Sequence, residues 1–91
     1  MSTITTVNPA TGENIESFEM ISAKDAAAKV EACHEAFSEW KLKSLEDRAA
    51  VIGGIGKALR DNKEELARLM TAEVGKLLKD SRDEVELCAA I

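Results

Sequence analysis

Three helix-start signatures, each followed by an apolar stripe at helical spacing, dictate most of what this chain can become. Ser22 with Asp25, Ser44 with Asp47 and Asn62 with Glu65 each set a capping side chain three residues ahead of an acidic one. Behind the first, Ala26, Val30, Cys33, Phe37 and Trp40 recur at alternating spacings of four and three, which is one face of a helix. Behind the second come Leu45, Ala49, Ile52 and Leu59, and behind the third Leu66, Leu69, Met70 and Val74. Gly75 supplies a stop, because glycine takes the left-handed conformation that helix ends favour. A fourth helix is expected from near Leu77, with Leu78, Val85 and Cys88 on its apolar side. It runs to Ala89-Ala90-Ile91 without Gly, Asn or a basic last turn, so it reads as a helix cut short.

Ahead of the helices the period differs. Thr3–Val7 is rich in Thr and Ile, and Asn8-Pro9-Ala10-Thr11-Gly12 carries turn chemistry. Asn14–Met20 then reads as a second strand, although Ile15, Phe18 and Met20 do not alternate cleanly. The expected architecture is mainly α: a β-hairpin over residues 1–21 and four helices over 22–91. The only aromatic residues are Phe18, Phe37 and Trp40, so Ala, Leu, Ile and Val must build any core.

A net charge of −5, with Lys and Arg interspersed among the acids, argues against nucleic acid or an anionic membrane surface as partner. The N-terminus is polar and Thr-rich, unlike a signal peptide, and no apolar run is long enough to span a bilayer. Cys33 and Cys88 are too few for a disulfide framework and too far apart for a paired metal motif. A cytoplasmic location follows as the expectation.

Several motifs invite chemistry and then fall short of it. Ala49–Lys57 has an apolar run, glycines and a lysine, as a phosphate loop does. Ala58 stands where magnesium binding needs Ser or Thr, and Leu59 stands where a dinucleotide fingerprint needs a small residue. The segment therefore reads as a helix whose glycines permit close packing. Cys88-Ala89-Ala90-Ile91 formally matches a prenylation box, but Asp83, Glu84 and Glu86 precede it in a helical pattern. Cys33 and His34 are adjacent, so on a helix they point about 100° apart and cannot converge on one ion. Both cysteines are expected as small core residues. The carboxylates of Asp80, Asp83, Glu84 and Glu86, with Lys79 and Arg82 nearby, read as a solvated face.

Function enters through resemblance. Val7-Asn8-Pro9-Ala10-Thr11-Gly12-Glu13, just after a short strand, resembles the opening of the aldehyde dehydrogenase superfamily. The likeness continues in order through Ala36-Phe37 and Trp40, Asp47-Arg48-Ala49, and Leu59-Arg60. It extends through Asn62, Glu65-Leu66-Ala67, Thr71-Ala72-Glu73-Val74-Gly75-Lys76 and Asp80–Glu86, and so spans essentially the whole chain. The short start and the wording of the motifs are most similar to the succinate-semialdehyde dehydrogenases.

That resemblance implies a set of expectations. The chain would be the N-terminal segment of the α/β NAD(P)-binding domain of an enzyme several times longer. The enzyme would oxidise an aldehyde, succinate semialdehyde being the implied substrate, to a carboxylate. A Cys thiolate would attack the aldehyde, hydride would pass to NAD or NADP, and a Glu would serve as base for thioester hydrolysis. Both of those residues would lie beyond Ile91, so no catalytic residue, bound cofactor or turnover is expected of these residues alone. Partners would be the rest of the enzyme and further copies in a homo-oligomer. Some family members hold a monovalent cation on carbonyls of the opening strand and a carboxylate before the third-helix glycine, and the matching positions are Thr6, Val7 and Glu73. Glu73 stands where the family often has Asp. The rival expectation is a self-standing helical interaction module without catalytic activity, whose apolar faces would drive association.

Overall fold

A computed structural model of the chain describes residues 2–91. Two strands, β1 (Thr3–Val7) and β2 (Asn14–Glu19), are followed by four helices: α1 (Ala23–Trp40), α2 (Leu45–Asp61), α3 (Lys63–Val74) and α4 (Leu78–Ala90). The expected hairpin and four helices are all present, with boundaries displaced by a residue or so.

The strands pair antiparallel, Thr3 opposite Glu19 and Thr6 opposite Glu16. The turn closes through the Asn8 side chain, whose Oδ1 accepts from the Ala10 N–H at 2.9 Å, and through the Gly12 N–H donating to the Asn8 carbonyl at 2.8 Å. Gly12 has φ +75°, a conformation that costs an L-residue strain. The register slips between Thr6 and Val7, so Val7 faces Asn14 and Ile15 is the extra residue. A bulge of this kind resets the alternation of side chains, which is why Ile15 falls out of step with Phe18 and Met20.

Two of the three helix-start signatures work as the sequence indicates. Ser22 Oγ accepts from the Asp25 N–H at 3.0 Å, and Ser44 Oγ accepts from the Asp47 N–H at 3.1 Å. Asn62 is a correction. It makes no side-chain bond to the start of α3; its Nδ2 donates instead to the Ala58 carbonyl at 2.8 Å, closing the end of α2. One residue separates the two helices, and at φ −111°, ψ 16° it lacks the extended geometry that turns a capping side chain forward. Gly75 ends α3 at φ 73°, its N–H bonded to the Thr71 carbonyl at 3.0 Å.

Packing is concentrated where α4 lies across α3 and α2. The buried residues there are small: Gly56, Ala67, Ser81 and Val85. A methyl group built on Gly56 would sit 2.7 Å from the Ala89 carbonyl oxygen, so α2 and α4 cross at a distance only glycine allows. Gly53 and Gly54 face open space, and the packing role expected of the glycines belongs to Gly56 alone. Ser81 is completely buried, and its hydroxyl is hydrogen-bonded to that of Thr71 at 2.9 Å.

The leucine-rich stripes, by contrast, are largely uncovered. α1 makes no extensive contact with another element among the described residues and buries none of its own. Val30 is 70% exposed and Phe37 52%, with the Lys41 ammonium 5.6 Å from the Phe37 ring centre. Cys33 and Cys88, expected in a core, are both exposed thiols. The α1 stripe is apolar as the sequence indicates but has no extensive cover from another described element, whereas on α4 Val85 is buried and Cys88, three residues on, opens onto a groove.

Candidate functional site

The three positions singled out for a monovalent cation come from two elements in contact. α3 packs against β1, and a methyl group on Gly75 would meet Pro9 Cγ at 3.2 Å, so the end of the helix abuts the turn leaving the strand. Thr6 is half-buried, and its hydroxyl is engaged by the hairpin: it accepts from the Glu16 N–H at 3.2 Å and donates to the Glu16 carbonyl at 3.3 Å. The Thr6 contribution to a cation would thus be its backbone carbonyl. Val7 is exposed at the bulge. Glu73 is half-buried and belongs to the stripe Leu66, Leu69, Met70 and Glu73, which with Leu59, Val85 and Cys88 lines a groove of about 230 Å³. It makes no ion pair among the described residues. All three would offer oxygen, which is the donor chemistry a hard cation takes.

The remaining motifs lie within helices. Gly53, Gly54, Gly56 and Lys57 lie inside α2 rather than in a loop, and Lys57 pairs with Asp61 at 2.6 Å one turn on. Cys33 and His34 sit on α1, and no group of three or more His, Cys, Asp or Glu among the described residues could hold a metal ion. Cys88 lies within α4, not on an extended tail. No helix of the described residues is long and apolar enough to cross a membrane.

The acidic face of α4 is where the structure adds most to the sequence reading. Asp83 pairs with Lys79 at 2.9 Å on the same helix, but Glu84 reaches Lys76 in the preceding turn and Glu86 reaches α2 and α3. Glu86 accepts from Arg60 Nε and Lys63 Nζ, each at 3.3 Å. In return Arg82 grips Glu64 of α3 with two bonds, Nε–Oε2 at 2.9 Å and Nη2–Oε1 at 2.6 Å, while Arg68 approaches the same carboxylate at 3.1 Å. The hydrogen bond from Arg82 holds the Glu64 carboxyl below its ordinary range, and those from Lys63 and Arg60 do the same for Glu86. The Glu84 carboxylate raises the Lys76 ammonium above its usual value. These groups clamp helices together; spacing along the chain could not reveal pairs 18 to 26 residues apart.

Comparison with known proteins gives the arrangement its context. The aldehyde dehydrogenase family model matches residues 1–91. A succinate-semialdehyde dehydrogenase [NADP(+)] of Deinococcus radiodurans is 36% identical over 94% of this chain and 18% of its own length. A 3-sulfolactaldehyde dehydrogenase of Pseudomonas putida is 37% identical over 91% of this chain and 17% of its own. Malonate-semialdehyde dehydrogenase 1 of Oceanobacillus iheyensis is 40% identical over 87% and 16% respectively. The chain therefore spans less than a fifth of the length of these relatives. On a match that runs from its first residue to its last, through the hairpin and all four helices, the chain belongs to the aldehyde dehydrogenase family.

Proposed function

We propose that these residues form the N-terminal segment of an NAD(P)-dependent aldehyde dehydrogenase, packed beside the dinucleotide fold of its cofactor-binding domain. The observation that carries the proposal is the family match over the entire chain, joined to its small share of each relative. The role of the segment is scaffolding: a hairpin and three interlocked helices present apolar stripes to the rest of the enzyme. The substrates named for the three relatives are each a short aldehyde bearing a carboxylate or sulfonate at the far end. An acidic aldehyde is accordingly the substrate class, and succinate semialdehyde the member we favour, with NAD or NADP as acceptor. The thiolate that attacks the carbonyl and the carboxylate that activates water would be supplied by residues outside this segment. The 91-residue chain alone would then turn over nothing.

The test is to read the gene past codon 91, express the product whole, and follow NADH and NADPH formation with succinate semialdehyde. A continuation containing a later Cys and Glu, with turnover by the whole product and none by the 91 residues, is the expected result. A stop codon there, or reduced cofactor above blank from the short chain, overturns it. The stop codon would favour a second reading, a self-standing interaction module, whose support is the exposed apolar face of α1.

We also propose Thr6, Val7 and Glu73 as contributors to a monovalent cation site in the whole enzyme. The support is the all-oxygen donor set and the packing of α3 on β1. Sodium or potassium titration should raise the melting temperature of the whole enzyme, and Glu73→Ala should weaken that response. An unchanged response in the variant removes Glu73 from the site.

A further inference from the structure

We draw no further inference here: the strongest candidate, the apolar groove between α2, α3 and α4 lined by Leu59, Leu66, Leu69, Met70, Val85 and Cys88, is an unpartnered face, and nothing in the structure shows what covers it.

Discussion

Gly53 and Gly56 lie one turn apart on α2, and an added methyl group would meet nothing within 4 Å at the first and the Ala89 backbone at the second. Replacing glycine by alanine within a helix gains about 1 kcal/mol of propensity. At Gly53 that gain is unopposed, so Gly53→Ala should raise stability by roughly 0.5–1 kcal/mol. At Gly56 the clash is with main chain, which yields only if α2 and α4 move apart, and overpacking of this kind costs about 1–3 kcal/mol. Gly56→Ala should therefore lower the urea midpoint while Gly53→Ala raises it. Equal shifts in the same direction would mean that the helices are not in close contact at this crossing. The sequence indicates that glycines here serve packing; which one does so depends on where α4 lands, and Ala89 is over thirty residues away.

Among the elements, α4 is tied to its neighbours by charge as well as by burial. Glu64 receives Arg82, and Glu86 receives Lys63 and Arg60, so both carboxyls are held below their ordinary pKa of 4.5. A carboxyl whose pKa is depressed on folding contributes stability that is fully present above its unfolded value. That contribution is lost as the pH falls through the folded value. The melting temperature should thus be level near neutrality and decline below about pH 4.5. Replacing both acids, Glu64→Gln with Glu86→Gln, should lower stability at pH 7 slightly and flatten the acid decline. An unaltered acid slope in the double variant would place the responsible carboxyls elsewhere. The pairs are exposed, and high salt should narrow the difference between the two proteins. Cap chemistry belongs to this scale too. Ser22 and Ser44 cap as written because each follows a loop, whereas Asn62, squeezed between two helices, turns back onto Ala58.

For the whole molecule, shape is the informative quantity. The radius of gyration is 17.3 Å, whereas a compact domain of this length has about 12 Å. The principal extents of 48, 37 and 14 Å describe a thin plate, one molecular layer rather than a closed core. Apolar residues that a closed domain would bury, among them Val30, Phe37 and Leu69, face outward. An exposed surface of this kind associates in water. The isolated 91 residues are expected to self-associate as concentration rises, read by sedimentation or light scattering, and Val30→Glu with Phe37→Glu should reduce it. A monomer across a wide concentration range would show that these faces do not drive assembly.

What the sequence by itself determined is most of what local chemistry controls, the Asn62 side chain being the exception. β-Branched Thr and Ile with an Asn-Pro-Ala-Thr-Gly turn favour a hairpin, serine caps and period-3.6 stripes place the helices, and Gly75 ends the third. The ordered motifs from Val7 to Glu86 identify the family for the same reason, since each is a local signature kept in register. The tertiary structure alone decided which apolar residues are covered. A stripe records that a face was meant for burial, but not whether its partner lies within the same ninety residues. It decided as well that Gly56, Ala67, Ser81 and Val85, rather than the leucines, form the buried centre, because helices that cross closely admit only small side chains at the crossing. The bonds of Arg82 to Glu64 and of Glu86 to Arg60 and Lys63 likewise exist only once α4 is docked. Their strength depends on a distance in space that no spacing along the chain encodes.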